Sequence, residues 1–347
     1  MAAYISFQPS DFFNNVLYTG TGAENAITGV GFSADMTWLK SRNAIKNHYL
    51  YDNVRGATKN LAPNDTDQEA TTAEGLKSWE SDGFTLGTSG GENGNTITYV
   101  AWNWYGGTTT GIATNGSTTI TPTGYSFNAT AGQSIIAYTG NSTAGAKVPH
   151  GLGIAPDYML VKKLNAGQSW AVYHTAIGPT KYLRLNTDSA VLTGTDRWND
   201  TATDSVNFTV GDAGDTNGAF NYIAYCFASV KGYSKFGSYI GNGNVDGSFV
   251  YTGFRPAYVL IKNIVTSNWF IADDKRPGAN APYNYTLLAD SNGAEVTSGG
   301  NNIDILSNGF KARSTGSYTN GSGTEMTYMA FAEFPFVSSN SKAGTAR

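Results

Sequence analysis

The sequence predicts an all-β protein made of tandem antiparallel β-sandwiches of jelly-roll-like form, in three divergent copies with little helix. Composition is the first reason. Only 14% of the 347 residues are charged, aromatics reach 13%, and there are 42 Gly. Helical proteins draw on Glu, Lys, Leu and Arg. Tyr, Phe, Thr and Val suit strands, and Gly, Asn, Asp and Ser suit the turns between them. The second reason is local pattern: four- to eight-residue apolar runs bounded by turn signals, with no stretch of helical period. The third is repetition at domain-sized spacing, longer than solenoid or propeller units.

The repetition defines the elements in order. Residues 1–17 lie outside it and carry Phe7, Pro9, Phe12 and Phe13, which reads as an N-terminal attachment arm that docks on a neighbouring domain or a partner chain. Each copy is introduced by a shared phrase, Tyr18-Thr19-Gly20, Tyr138-Thr139-Gly140 or Tyr239-Ile240-Gly241. A strand ending in Lys follows, Met36–Lys40, Tyr158–Lys162 or Tyr258–Lys262, and each copy closes on Tyr99-Val100-Ala101-Trp102, Tyr222-Ile223-Ala224-Tyr225 or Tyr328-Met329-Ala330-Phe331. These phrases place β-sandwich repeats at 18–110, 124–230 and 231–337. Between the first two runs a Thr/Gly-rich linker, 111–123, and 338–347 form a polar tail. Asp82-Gly83 and Asn308-Gly309 mark tight hairpins, where a positive φ suits Gly. Core positions read from the repeats are Trp38, Leu39, Val100, Trp102, Leu160, Ile223, Tyr225, Leu260, Ile261, Met329 and Phe331. The recurring Lys40, Lys162 and Lys262 read as solvated strand ends.

Charge and motifs narrow the function. Lys and Arg number 22 against 26 Asp and Glu, with no basic run, so nucleic acid has no electrostatic footprint. Apolar runs are too short to span a membrane, and the opening residues lack the basic start and apolar core of a secretory signal. The lone Cys226 sits in an apolar strand and reads as core, and His48 and His174 read as equivalent structural positions of two copies. His150 falls in a turn. No metal-binding His or Cys spacing and no Gly-x-Ser-x-Gly occurs. Asn242, Asn244 and Asp246 before Gly247 match half a calcium loop without its closing Glu, and a hairpin turn explains them better. Acidic groups at Asp65, Asp67 and Glu69, at Asp196, Asp200 and Asp204, and at Asp273 and Asp274 could supply a glycosidase pair, but such pairs arise in any loop set. No catalytic, cofactor-binding or metal-binding residue is therefore assigned. Trp102 and Trp104 share a face, Trp79, Trp170, Trp198 and Trp269 lie near strand ends, and all read chiefly as core with a lesser role as interface anchors.

Two long segments stand out: one is Tyr49-Leu-Tyr-Asp-Asn-Val-Arg-Gly-Ala-Thr-Lys59, and the other runs from Tyr222 to Tyr239 and continues at Gly253-Phe-Arg-Pro-Ala-Tyr-Val-Leu-Ile-Lys262. Trp198-Asn-Asp-Thr201 and Tyr328-Met-Ala-Phe-Ala-Glu333 belong to the same pattern. Together they resemble a structural-protein repeat of marine tailed phages, of the tail-fibre or receptor-binding type. The resemblance implies a non-enzymatic virion protein on the particle exterior, made in the host cytoplasm. A tail fibre that binds the host receptor is the favoured role, capsid decoration or a head fibre the alternative, and a glycan depolymerase the second alternative. Expected partners are other virion proteins, further copies of itself as a trimer, and a host surface glycan. No cofactor, nucleic acid or membrane insertion is expected.

Overall fold

The computed structural model describes residues 5–276, 280, 285–297 and 301–335. The protein is all-β, with antiparallel pairing throughout the described sheets. Residues 1–4 and the predicted tail at 338–347 lie outside the described residues. No helix among the described residues is long and apolar enough to cross a membrane.

The first stretch contains β1 (Phe13–Thr19), β2 (Asn25–Thr28), β3 (Met36–Ser41), β4 (Tyr49–Asp52), β5 (Lys59–Asn60), β6 (Ala70–Thr71), β7 (Leu76–Glu80), β8 (Gly83–Leu86) and β9 (Thr98–Trp104). A larger sheet has the order β1-β9-β3-β4 and a smaller one β2-β8-β7, with β5 and β6 as a separate ribbon. The second stretch contains β10 (Gly124–Asn128), β11 (Gln133–Thr139), β12 (Ala146–Pro149), β13 (Tyr158–Lys163), β14 (Ala171–His174), β15 (Lys181–Arg184), β16 (Leu192–Thr193), the one-turn helix α1 (Thr195–Trp198), β17 (Asn207–Val210) and β18 (Asn221–Phe227). Its larger sheet is β10-β11-β18-β13-β14-β15-β16 and its smaller one β12-β17. The third contains β19 (Ser234–Ile240), β20 (Phe249–Tyr251), β21 (Phe254–Asn263), β22 (Trp269–Asp273), β23 (Leu287–Leu288), β24 (Ile303–Leu306), β25 (Gly309–Ala312), the short helix α2 (Ser317–Asn320) and β26 (Glu325–Pro335). Here the sheets are β19-β26-β21-β22-β23 and β20-β25-β24.

The same order therefore recurs in the larger sheets as β1-β9-β3-β4, β11-β18-β13-β14 and β19-β26-β21-β22. The register recurs too: Trp38 faces Trp102, Leu160 faces Tyr225 and Leu260 faces Met329. All of the core positions read from the repeats are buried, none more than 3% exposed.

Side chains alternate across a strand, so each closing strand serves two cores. From β9, β18 and β26, the residues Trp102, Trp104, Tyr225, Phe227, Met329 and Phe331 share one central cluster with Phe13, Tyr158 and Tyr258. The opposite faces of the larger sheets are covered separately. Ala101 packs with Phe84 and Leu86, Cys226 with Phe208 and Val210, and Ala330 with Phe310 and Ile305. The three larger sheets thus meet face inward on one aromatic core, and each small sheet closes an outer one.

Three expectations are corrected by this arrangement. The predicted end of the arm at residue 17 is too late, because residues 13–17 belong to β1, which pairs with β9, while Phe7 and Phe12 stack edge-on against Tyr233, in keeping with an arm docked on a neighbouring domain. Its rings are ordered by the chain's own central core, which supplies the apolar surface that so short a segment needs. The hairpin turns centre one residue earlier than the Gly, since Glu80 pairs with Gly83 and Leu306 with Gly309. Gly is needed there for close approach, because a Cβ at Gly83 or Gly309 would lie 1.9 Å from the carbonyl oxygen of Ile27 or Val250. Finally, Lys40, Lys162 and Lys262 are fully buried rather than solvated.

Candidate functional site

Two sets of buried charged groups lie where the larger sheets meet. At the end of β4, Arg55 Nε donates to Asp52 Oδ2 (2.5 Å), Tyr225 OH from the second sheet donates to the same oxygen (2.6 Å), and Glu69 stands 3.5 Å from Arg55. At the end of β22, Arg276 Nε donates to Asp273 Oδ2 (2.6 Å), Trp102 Nε1 from the first sheet donates to that oxygen (3.1 Å), and Glu295 accepts from Arg276 Nη1 (2.9 Å). Burial opposes both guanidinium charges, but the neighbouring carboxylates outweigh it and raise each arginine above its ordinary value. The second stretch places His174, Ile177 and Val191 at the corresponding positions, the Val191 amide donating to Ile264 O as those of Glu69 and Glu295 donate to Leu164 O and Arg42 O, and His174 Nε2 donates to the carbonyl of Tyr328 in the third sheet (3.2 Å). An Asp–Arg–Glu set thus occurs twice, and an uncharged set replaces it as a whole.

Register explains why the pairing of His48 with His174 is incorrect. His174 faces Tyr158 as Asp52 faces Met36 and Asp273 faces Tyr258. His48 instead shares its role with Trp170 and Trp269. It accepts from Trp38 Nε1 at Nδ1 (2.9 Å) and donates from Nε2 to Leu288 O (3.0 Å). Trp170 Nε1 donates to Ala62 O (3.0 Å), and Trp269 Nε1 donates to Arg184 O (2.9 Å). The lysines follow the same circuit. Lys40 donates to Asn292 O (3.3 Å), Lys162 to Thr66 O (2.8 Å) and Lys262 to Asp188 O (3.2 Å), each across to the neighbouring stretch. Burial pushes all three ammonium groups down to about 8. First joins third, second joins first and third joins second, so the contacts close into a ring.

The other candidate residues are held in local structure. Asp204 accepts from the Val206 and Asn207 amides (2.7 Å each), and Asp196 pairs with Arg197 (2.6 Å) while Asp200 is exposed. Asp65 accepts from the Thr66 amide (2.6 Å), Asp67 is exposed, and Glu69 joins the Arg55 set. Asp274 accepts from Asn15 Nδ2 (3.0 Å), and burial lifts its carboxyl to about 6. In the half calcium loop, Asn242 and Asn244 accept from the amides two residues on, and Asp246 pairs with Lys311 (2.5 Å). Among the described residues no group of three His, Cys, Asp or Glu is placed to hold a metal ion. Cys226 is buried, and burial pushes its thiol up to about 12. Trp102, Trp104, Trp170, Trp198 and Trp269 are fully buried, whereas Trp79 is half-buried and donates to Thr37 Oγ1 (3.3 Å).

Two features escaped the sequence reading. Asn93, Asn217 and Asn320, each followed by Gly, are buried pins that tie the turn before the closing strand to the turn after the introductory phrase. Their side-chain oxygens accept from the amides of Thr21, Asn141 and Asn242 (3.0, 2.9 and 2.9 Å). The recurring Asn-Gly ahead of Tyr-x-Ala was the available signal. The second is an aromatic pair on the outer face of β20, where Phe249 and Tyr251 are 47% and 49% exposed. Ala26 and Thr28 hold the corresponding places on β2, and Lys147 and Pro149 on β12. Ile240 and Val245 are exposed on the same β19–β20 connection, and Lys235 donates to Tyr251 O (2.7 Å).

No curated protein and no solved structure matches the chain. One family model does, described as a domain of unknown function (DUF7483), and it covers residues 8–335, all three larger sheets included. The chain belongs to the DUF7483 family.

Proposed function

We propose that this chain is a non-enzymatic structural protein on the exterior of a phage particle, a tail fibre that binds the host receptor. The observation that carries the binding role is the exposed Phe249–Tyr251 pair, flanked by Ile240 and Lys235. Aromatic rings presented on a rigid strand, with a cationic rim, are the usual anchors of an interface. The phage role itself rests on the resemblance of Tyr49–Lys59 and Tyr222–Tyr239 to tail-fibre repeats. The buried carboxylates support the non-enzymatic reading, because Asp52 and Asp273 already serve arginine and ring donors.

The test is adsorption. Purified chain should bind host cells in a saturable way and compete with phage attachment, and Phe249→Ala with Tyr251→Ala should weaken binding about tenfold or more. Density for the chain on capsid faces in a particle reconstruction would overturn the tail-fibre role in favour of decoration. New reducing ends from host polysaccharide would overturn the non-enzymatic reading. The homotrimer belongs to the same proposal and is read from light scattering of the full chain, where a monomer refutes it.

A further inference from the structure

We infer that the open edge of β1 is a docking site for an extended segment of another polypeptide, which adds to the sheet β1-β9-β3-β4 as a further strand. The molecule itself shows what fills such an edge. In the second stretch β10 pairs with β11, the strand equivalent to β1, with Gly124 opposite Ala137 and Ser126 opposite Ile135. The equivalence is fixed by Tyr18 and Tyr138, which stack on Tyr99 and Tyr222 at 4.9 and 5.3 Å. Leu17 therefore stands where Ala137 does, and Asn15 where Ile135 does.

Hydrogen-bond parity decides which groups of β1 face outward. The Tyr105 amide donates to Phe12 O (2.9 Å) and the Gly20 amide to Ile97 O (2.8 Å), so the even-numbered residues of β1 exchange bonds with β9 and the odd-numbered ones face away. Ala137 O accepts from the Thr123 amide (2.8 Å), whereas the N–H and C=O of Leu17 have no partner among the described residues. The flanking groups are capped from within: the Asn15 amide donates to Asn14 Oδ1 (3.0 Å), and Thr19 O accepts from Asn25 Nδ2 (3.3 Å). Leu17 is the point of entry left between them.

Two further observations point to an occupant. A cleft of roughly 400 Å³ lies along this edge, lined by Asn14, Asn15, Leu17, Thr28, Gly29 and Lys275. Asn15 is 2% exposed, and its side-chain oxygen has no hydrogen-bond partner although its amide nitrogen donates to Asp274 (3.0 Å). A buried acceptor left unpaired costs about 1–3 kcal/mol. An incoming strand with the β10 pattern places a small residue opposite Leu17 and a hydroxyl donor opposite Asn15, as Gly124 and Ser126 stand on β11. The partner is thus an extended chain of Gly-x-Ser type, bound through its backbone.

The probe is a synthetic peptide of residues 122–130, added in trans to the intact protein. Amide exchange followed by NMR should show the Leu17 proton slowed about tenfold or more at saturation. Leu17→Pro removes only the outward donor, which an edge strand tolerates, and should weaken peptide binding about tenfold, whereas Ser238→Pro on the corresponding edge of β19 should leave it unchanged. A peptide carrying Val in place of the Ser should also bind more weakly. Unaltered Leu17 exchange at about 1 mM peptide would overturn the inference, that concentration being where binding becomes negligible. So would loss of binding in Ser238→Pro but not Leu17→Pro. Should Leu17→Pro fail to fold, the exchange measurement on the unaltered protein decides alone. A Leu17 amide already protected in a sedimenting dimer would replace the foreign segment by a second copy.

Discussion

Replacing Phe331 by Ala should destabilise the whole molecule rather than its last third. The ring is 1% exposed, stacks on Phe13 at 5.3 Å and meets Trp104, Phe227 and Tyr233 edge-on at 5.6, 5.7 and 5.7 Å. Those partners come from the first sheet, the second sheet and the junction before the third. Truncating a buried Phe to Ala costs about 3–5 kcal/mol. Each lost aromatic pair adds about 0.5–1.5 kcal/mol beyond area alone, so the upper end of that range is expected. Phe310→Ala is the control, because Phe310 is equally buried but lies in the outer core of the third stretch. Urea titrations followed by Trp fluorescence and far-UV circular dichroism should give one coincident transition for Phe331→Ala. Its midpoint should fall while its slope stays that of the intact chain. An early partial transition, with most of the β signal surviving to higher urea, would refute a core common to the three sheets.

The other predictions concern charge and backbone. His48, His150 and His174 each accept at Nδ1 and donate at Nε2, and burial lowers all three below their ordinary value. The unfolded chain therefore binds more protons below about pH 6.5, so their stabilisation is complete above that pH and is lost as the pH falls. His174→Asn keeps the acceptor for the Ala176 amide and should flatten the stability slope between about pH 6.5 and 5.5 by up to ~1.4 kcal/mol per unit; an unchanged slope would mean that His174 is charged in the folded state. Arg276→Met should cost about 3–5 kcal/mol by stranding Asp273, while Glu295 keeps its pair with Arg42 (2.9 Å), and a thermal melt within a degree of the parent would contradict the buried set. Gly83→Ala should cost more than about 1 kcal/mol, since its φ is 152° and the new Cβ would meet Ile27 O; an unshifted urea midpoint would disprove the close approach.

The strands and their core were legible because burial writes them as apolar runs at fixed distances from Tyr and Gly. Trp38, Leu160 and Leu260 each stand seven residues after a Gly (Gly31, Gly153 and Gly253), and they do occupy one register. What joins the sheets was not legible. Trp102 Nε1 reaches Asp273, and Tyr225 OH reaches Asp52, across 171 and 173 residues of chain. A carboxylate whose partner is that distant looks in sequence like any loop acid. The lysines misled for a related reason. A Lys at a strand end is normally solvated, but here backbone carbonyls of the neighbouring stretch accept its hydrogen bonds. The exposed pair Phe249 and Tyr251 was hidden in the opposite sense, because alternating aromatics in a short strand suggest burial.

The Asp–Arg–Glu sets also constrain how these sequences can drift. Asp273, Arg276 and Glu295 occupy positions that His174, Ile177 and Val191 fill without charge one stretch earlier. Losing the guanidinium first leaves Asp273 buried without its counter-charge, at about 3–5 kcal/mol, which is a large share of the roughly 5–15 kcal/mol that holds a domain folded, whereas losing Glu295 or Asp273 first leaves the other acid on Arg276. The order of change matters: one acid can leave before the guanidinium, but the guanidinium cannot leave while Asp273 remains. Mutational paths between the two sets are therefore narrow, and each residue's tolerance to substitution depends on what stands at the other two.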